Sequence, residues 1–253
     1  MRLLAARRAP YTREDDLRPV PPRESWATNG GVRLHVLESG RGRAGTPVLF
    51  VPGMMGTAED HGSEMDFLAP RRCVAASLRG RGRSDAPETG YSFKDHVGDL
   101  EAVVRHARLR RFHIVGYSVG AAYAIGYATR HPANVRGLVI GDYPARYPRF
   151  PEGWVPRALA EIPGASEVAV RSLQRESAAI PLWPALSRLR GPVLVLRGDG
   201  GSLLTAYGAR QYRQRASGIE VVVLPGAHHD LWNPDRGRYL RTLASFLAKA
   251  DAR

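Results

Sequence analysis

The stretch Gly-Tyr-Ser-Val-Gly at residues 116–120 decides the fold of this chain. It follows a short apolar run, residues 112–115, and precedes residues 121–128, which are small or favour helices. This order predicts a strand, a sharp turn with Ser118 at its apex, and then a helix. Small residues two positions before and after a serine relieve the crowding of such a turn. The pattern G-x-S-x-G in this setting is a nucleophile elbow, which exposes the serine hydroxyl beside a helix N-terminus.

Apolar strands alternate with helical segments on both sides of this turn. The predicted strands are residues 47–51, 74–78, 112–115, 137–142, 193–198 and 219–224, and the clearest predicted helices are 57–68, 93–106 and 234–250. An Asn-Gly turn at residues 29–30 sits between two extended runs and predicts a hairpin. Apolar strands that alternate with helices favour a mostly parallel central sheet flanked by helices, an α/β fold.

The chain divides into an extension, a core and an insertion. Residues 1–24 mix arginine, acid and proline without periodicity and predict an N-terminal extension. Residues 143–187 carry many prolines and only weak helical runs, and they are too long for a plain loop. We therefore expect a small helical cap at 143–187, inserted into a core formed by 25–142 and 188–253. The aromatic residues of this cap either line a substrate pocket or only bury the cap itself, and both interpretations stay open.

Composition excludes several classes of protein. The formal charge of +13 comes almost entirely from arginine spread along the chain, because Lys94 and Lys249 are the only lysines. Dispersed arginine does not form the basic stripe typical of nucleic-acid binding, so no nucleic-acid partner is expected. The single cysteine, Cys73, excludes an internal disulfide framework. No apolar run is long enough for a signal peptide or a membrane span, so we expect a cytoplasmic protein without a membrane partner.

A base for the serine is expected late in the chain. A serine hydroxyl is a poor nucleophile and needs a neighbouring group to take its proton. Residues 224–232 follow the last predicted strand and contain His228 and His229. The loops after parallel strands gather at one end of the sheet, so this loop and Ser118 are expected to lie at the same end.

The chain resembles a serine-nucleophile, esterase-like member of the α/β-hydrolase fold superfamily over roughly residues 25–250. The elbow, the loop at 79–85 with its R-G-x-G-x-S pattern, and the late histidine loop carry the resemblance. The family's last loop commonly resembles P-G-A-G-H, which implies that the catalytic histidine is His229 and that His228 stands where a glycine is usual. The resemblance implies no cofactor and no metal.

The resemblance also implies an oxyanion hole. Two backbone N–H groups are needed to bind the oxygen that becomes negative during acyl transfer. One would belong to Val119, the residue after the nucleophile. Residues 52–56 resemble the family's H-G-x-x-G loop, with Pro52 in place of histidine, and this implies Met54 as the second donor.

The acid of the triad is not where most relatives have it. The resemblance places it after the strand at 193–198, at Gly201 or Ser202, and neither residue is acidic. Asp142 ends the strand before the cap, where some relatives have their acid, and we take it as the triad acid. Asp199 is the alternative, and a dyad without an acid also stays open. Asp230 directly follows His229 and is not expected to reach the ring.

These residues predict a serine hydrolase that acts on a small, mainly apolar carboxylic ester, thioester or lactone through an acyl-enzyme on Ser118. Acyl transfer, a cyclisation step or C–C bond hydrolysis would use the same triad. A hydrolase-fold protein that only binds a ligand is a further alternative, suggested by the missing acid after the strand at 193–198. Dehalogenase and epoxide hydrolase activities are disfavoured because they need a carboxylate nucleophile where Ser118 stands.

Overall fold

The computed structural model of this chain describes residues 21–40, 44–162, 164–189, 191–215 and 218–253. Most of the predicted N-terminal extension, residues 1–20, lies outside the described residues. The predicted hairpin is confirmed: strands β1 (Arg23–Asn29) and β2 (Val32–Ser39) pair antiparallel around the turn at 30–31.

The remaining elements follow in an order close to the predicted alternation. The strands are β3 (Val48–Val51), β4 (Cys73–Ala76), β5 (Phe112–Tyr117), β6 (Val135–Gly141), β7 (Arg146–Tyr147), β8 (Ile180–Pro181), β9 (Val193–Gly198) and β10 (Ile219–Leu224). The helices are α1 (Gly62–Phe67), α2 (Phe93–His106), α3 (Val119–Arg130), α4 (Trp154–Glu161), α5 (Glu167–Glu176), α6 (Trp183–Leu186), α7 (Ala206–Arg215) and α8 (Arg236–Asp251). A short 3₁₀ helix, Ala58–His61, precedes α1.

An eight-stranded sheet organises these elements in the order β1-β2-β4-β3-β5-β6-β9-β10. The strand β2 pairs antiparallel with β1 and β4, and every other pairing in this sheet is parallel. The prediction of a mostly parallel central sheet is therefore confirmed. Because β5 is flanked by β3 and β6, and β9 is next to β6, the C-terminal ends of these four strands lie side by side.

Helices cover both faces of the sheet. Buried side chains of α2 and α3 pack on one face, in a cluster that includes Leu100, Val103 and Ile125. Buried side chains of α8 pack on the other face, where Leu243 and Leu247 are fully buried. The spacing of the apolar residues in α2 and α8 predicts these faces, because residues three or four positions apart share one side of a helix.

The segment 143–187 connects β6 to β9 and contains β7, α4, α5, β8 and α6. Its buried side chains, among them Tyr147, Phe150 and Leu173, belong to the same core cluster as α2 and α3. The rings of Phe150 and Trp154 stack with centroids 4.6 Å apart. The ring centroid of Tyr147 lies 5.2 Å from that of Phe93 in α2. These aromatic residues therefore pack against the core and against each other.

Two features differ from the sequence expectations. The helix α7 was not predicted, because of its ten residues only Ala209 and Tyr212 are buried and no apolar periodicity marks it. Strand β4 ends at Ala76, two residues earlier than predicted. Across the described parts of the chain, we find no helix with the length and apolarity needed to span a membrane.

Candidate active site

Ser118 lies at the turn between β5 and α3 in a backbone conformation that only a constrained turn maintains. Its φ is 53° and its ψ is −134°. A Cβ at Gly116 would lie 2.5 Å from the Cα of Ala121, and a Cβ at Gly120 would lie 2.3 Å from the carbonyl oxygen of Pro52. Glycine is therefore required at both positions for the turn to form, which is the steric reason for the G-x-S-x-G pattern.

His229 and Asp142 complete a chain of hydrogen bonds that begins at Ser118. Nε2 of His229 lies 3.0 Å from Oγ of Ser118, and Nδ1 of the same ring lies 2.8 Å from Oδ2 of Asp142. Asp142 is fully buried, whereas the His229 side chain is one-third exposed. The predicted nucleophile, the predicted base and the preferred acid are thus brought into one contact chain with the order that a base-activated serine requires.

The loop after β9 holds the carboxylate of Asp142. Oδ2 accepts a hydrogen bond from the backbone N–H of Leu203 (2.9 Å) and Oδ1 accepts one from that of Leu204 (3.2 Å). The hydroxyl of Ser202 also donates to Oδ1 and accepts from the N–H of Gly198 at 3.0 Å. Asp142 has a φ of 47°, a left-handed conformation that aspartate tolerates better than most residues. These donors compensate the burial of a carboxylate that would otherwise be strongly disfavoured.

The other residues considered for the triad lie elsewhere. Asp199 is exposed, and its Oδ1 accepts a hydrogen bond from the N–H of Gly226 at 2.6 Å, so it braces the histidine loop. His228 is exposed, and its backbone forms a bridge with Gly201. The carboxylate of Asp230 accepts from the side chain of Asn233 at 3.0 Å. None of the three makes a described hydrogen bond with the ring of His229.

The two expected oxyanion donors border the nucleophile. Val119 is the first residue of α3, so its N–H has no partner within the helix. A Cβ at Gly53 would lie 3.1 Å from the Cβ of Ser118, which places the loop after β3 directly beside the serine. Met54, the next residue in that loop, lines the same cavity as Ser118.

A cavity of about 550 Å³ opens beside Ser118. Its lining comes from the loop after β3, from α1 and its preceding 3₁₀ helix, from the elbow, and from the histidine loop and α8. These residues are Pro52, Gly53, Met54, Gly56, Asp60, His61, Ser63, Glu64, Tyr117, Ser118, His229, Trp232, Arg236, Tyr239 and Leu240. No residue of 143–187 is among them. The lining is consistent with the second interpretation of the aromatic residues in that segment, namely that they bury the segment itself.

Tyr117 and Ser202 belong to the site, although the sequence did not identify them. The Tyr117 ring stacks on that of His229 with centroids 5.0 Å apart, and its hydroxyl donates to the carbonyl oxygen of His229 at 2.9 Å. Burial raises the pKa of Tyr117, so its hydroxyl stays a donor. Only their positions could have signalled this: Tyr117 is the first variable residue of the elbow, and Ser202 is one of the two positions at which the resemblance implies the acid.

The arrangement suits acyl transfer from a carbonyl compound. It offers a hydroxyl in contact with an imidazole, a carboxylate on the far side of that imidazole, and backbone N–H groups beside the hydroxyl. Within the described ranges, no group of three or more His, Cys, Asp or Glu side chains is placed to hold a metal ion. Cys73 is buried, and burial raises the pKa of its thiol to about 12, so it is not a second nucleophile.

Comparisons with known proteins identify hydrolases as relatives of this chain. A family model described as alpha/beta hydrolase fold matches residues 46–144. The sequence is 27% identical to 2-(acetamidomethylene)succinate hydrolase from Mesorhizobium japonicum, in an alignment that covers 79% of this chain and 86% of that protein.

Solved structures resemble this chain over nearly their whole length. The crystal structure of E-2-(acetamidomethylene)succinate hydrolase has a TM-score of 0.74 at 24% identity and covers 90% of this chain and 99% of its own. An esterase from Rhodococcus sp. ECU1013 has a TM-score of 0.78 at 21% identity, with the same two coverages.

Proposed function

Because the chain belongs to the α/β-hydrolase fold superfamily, we propose that it is a serine hydrolase that forms an acyl-enzyme on Ser118. The substrate would be a small, mainly apolar carboxylic ester, thioester or lactone. The observation that carries this proposal is the unbroken contact chain from Ser118 through His229 to Asp142. The cavity beside Ser118 supports a small substrate, because its volume of about 550 Å³ lies in the range of small-molecule sites.

In the first half of the reaction, Oγ of Ser118 attacks the substrate carbonyl while its proton passes to Nε2 of His229. The charge on the imidazolium is balanced by Asp142, which also fixes the ring with its proton on Nδ1. The oxygen that becomes negative is held by the N–H groups of Val119 and Met54. Collapse of this intermediate breaks the bond to the leaving group, which takes the proton from Nε2.

In the second half, water replaces the leaving group. Nε2 of His229 takes a proton from water, the hydroxide oxygen attacks the acyl carbon, and the acid is released with the proton returned to Ser118. The His229 side chain is one-third exposed, so water reaches the base from the cavity. This access supplies the water that hydrolysis of the acyl-enzyme requires.

A dicarboxylate substrate is the second candidate. It is suggested by the relative named for 2-(acetamidomethylene)succinate, which aligns with 79% of this chain. The cavity lining contains one arginine, the exposed Arg236, beside the carboxylates of Asp60 and Glu64. Nη1 of Arg236 already donates to Ser63 at 2.8 Å. This charge balance disfavours a dicarboxylate, and kcat/KM for the dicarboxylate against uncharged esters of matched size tests it.

A fluorophosphonate probe tests the nucleophile. We expect one probe per chain by mass spectrometry, attached to the peptide that contains Ser118, and no labelling of Ser118→Ala. Ser63→Ala is the matched control, because it removes another serine hydroxyl of the cavity lining and leaves the triad intact. A folded wild-type protein that takes no probe would overturn the proposal. A panel of 4-nitrophenyl esters of increasing acyl length then defines the size of the acyl group.

A further inference from the structure

The cavity beside Ser118 contains a buried carboxylate that the proposed chemistry does not use. Glu64 lies in α1 and is only 4% exposed. Its Oε1 accepts a hydrogen bond from the hydroxyl of Tyr239 at 2.9 Å. Its Oε2 has no hydrogen-bond donor among the described residues, although Glu64 is part of the cavity lining. A carboxylate oxygen without a donor from another residue is free to accept one from a ligand in the cavity.

Glu64 is charged, and in the described ranges its basic neighbour is a histidine, His61, and not an arginine or lysine. Burial alone would raise its pKa, but the neighbouring His61 ring and the Tyr239 hydroxyl outweigh burial and lower it. Nδ1 of His61 is 3.7 Å from Oε1, and neither ring nitrogen of this 5% exposed histidine has a hydrogen-bond partner in the described structure. The deep part of the cavity therefore combines a buried carboxylate with a histidine ring that lies beyond hydrogen-bond distance of it.

The charged groups near the mouth of the cavity do not neutralise Glu64. Asp60 and Arg236 line the same cavity, but both are exposed. Asp60 accepts from the N–H of Thr57 at 2.9 Å, and Arg236 donates to Ser63. These two charges are of opposite sign, and the buried carboxylate of Glu64 remains, with the ring of His61 beside it.

A row of aromatic rings connects this carboxylate to the reacting groups. The ring of Tyr117, which stacks on His229, has its centroid 5.1 Å from that of Trp232. The ring centroid of Trp232 lies 6.3 Å from that of Tyr239, whose hydroxyl donates to Glu64. Ring faces attract organic cations, and Trp is the strongest of them. Ring faces next to a carboxylate are the chemistry that recognises an ammonium group.

We propose that the non-reacting end of the substrate carries an ammonium group, and that Glu64 is the residue that selects it. This inference rests on the proposed hydrolase function for the reacting end. The ammonium group lies against Trp232 and Tyr239, with Oε2 of Glu64 as its counter-ion, while the carbonyl lies at Ser118. Attraction between an ammonium group and a partly desolvated carboxylate corresponds to roughly ten-fold in affinity or more.

Binding of a matched ligand pair tests the subsite without any turnover. Choline and 3,3-dimethylbutan-1-ol have the same shape, but only choline has the positive charge. Calorimetry with the wild-type protein is expected to show choline binding at least ten-fold more tightly than the neutral alcohol. In Glu64→Gln this preference falls to about two-fold or less. A wild-type protein that binds both ligands equally overturns the inference.

Two further variants separate local recognition from folding and from general electrostatics. Glu59→Gln removes a carboxylate that is exposed, lies on the neighbouring 3₁₀ helix and does not line the cavity. It is expected to keep the full preference for choline, and a loss equal to that of Glu64→Gln would overturn the role of Glu64. If Glu64→Gln fails to fold, Trp232→Leu replaces it, with an expected three- to ten-fold loss of choline affinity. An unchanged preference in a folded Trp232→Leu counts against the subsite.

Ester turnover links the subsite to catalysis. Choline esters and 3,3-dimethylbutyl esters of one acid, and the corresponding pair with the trimethylammonium group in the acyl part, are compared by kcat/KM. The charged member of one pair is expected to lead by about ten-fold, and this lead is lost in Glu64→Gln. Preferred binding of choline without any hydrolysis or probe labelling would overturn the serine-hydrolase function and leave the ammonium site standing. If Ser118 is labelled and esters are hydrolysed, but neither binding nor turnover prefers the charged ligand, the serine-hydrolase function stands and the ammonium site is overturned.

Discussion

The ends of the neighbouring strands β6 and β9 contribute the acceptor and the donors of one hydrogen-bonded cluster. At the end of β6, Asp142 presents a fully buried carboxylate. At the end of β9, the loop presents donors to it: the hydroxyl of Ser202 and the N–H groups of Leu203 and Leu204. The resemblance to α/β hydrolases implies the acid in the second loop, yet here the second loop holds a carboxylate that comes from the first, and we propose that carboxylate as the acid. The two ends are adjacent in the sheet, so a carboxylate from either one reaches the same place.

This difference shows what the site requires of its acid. The ring of His229 needs a carboxylate at Nδ1, and that carboxylate needs donors on its remaining lone pairs. Which strand end supplies the carboxylate is secondary, provided that the other end supplies the donors. Substitutions at the two strand ends should therefore differ in how strongly they lower turnover.

The largest effect is expected for Asp142→Asn. The amide keeps the size of the side chain but can donate to Nδ1, which favours the wrong tautomer of His229. We expect kcat/KM for a 4-nitrophenyl ester to fall by about 10⁴-fold, with circular dichroism unchanged. Labelling of Ser118 by a fluorophosphonate should slow in parallel. Turnover within ten-fold of the wild type would show that the site works as a dyad.

Moving the acid to the second strand end is expected to restore part of this loss. The hydroxyl of Ser202 contacts Oδ1 of Asp142, so a carboxylate at position 202 would point into the same space. The double variant Asp142→Asn with Ser202→Asp should turn over about 10- to 100-fold faster than Asp142→Asn alone, because a charge again faces the ring. The matched control combines Asp142→Asn with Ser202→Asn, which has the same size and no charge. Equal rates for the two double variants would exclude an exchange of the acid between the strand ends.

Removing the donor of the second strand end is expected to have a smaller effect. Ser202→Ala deletes one of the three hydrogen bonds that the loop after β9 donates to the Asp142 carboxylate, and hydrogen bonds to charged groups contribute about 1.5–3 kcal/mol. As a positioning residue, Ser202 should change kcat by roughly ten-fold and leave KM unchanged. Ser202→Thr keeps the hydroxyl and should recover most of the rate. A fall in thermal stability with unchanged kcat would assign Ser202 a purely structural role.

The sequence was sufficient to predict the parts of the molecule that depend on local steric rules. The elbow could be predicted because Gly116 and Gly120 leave no room for a side chain. The helices α2 and α8 could be predicted because their apolar residues repeat with helical spacing. The approach of His229 to Ser118 followed from the loops after parallel strands meeting at one end of the sheet.

The parts that depend on tertiary neighbours could not be predicted. Asp142 and Asp199 each end a strand or follow one, and only the positive φ of Asp142 and the position of the loop after β9 decide which of them reaches the ring. The location of the cavity was likewise open. Tyr147 and Phe150 could have lined it, but they pack against α2 and α4, and the cavity forms instead between the loop after β3 and α8. No periodicity in the sequence predicts which of these two places forms the cavity.

The smallest effect on turnover is expected for Asp199→Asn, in the other aspartate of the two strand ends. Its carboxylate bonds to the N–H of Gly226 and does not contact the ring of His229, so kcat/KM should stay within about two-fold of the wild type. Loss of that charged acceptor should lower the free energy of unfolding by about 1 kcal/mol, measured by urea denaturation. Asp199→Ala, which also removes the acceptor, should lower it by at least as much. A loss of turnover in Asp199→Asn comparable to that in Asp142→Asn would reverse the assignment, because the carboxylate that serves the histidine would then come from the end of β9, as the resemblance to the family implies.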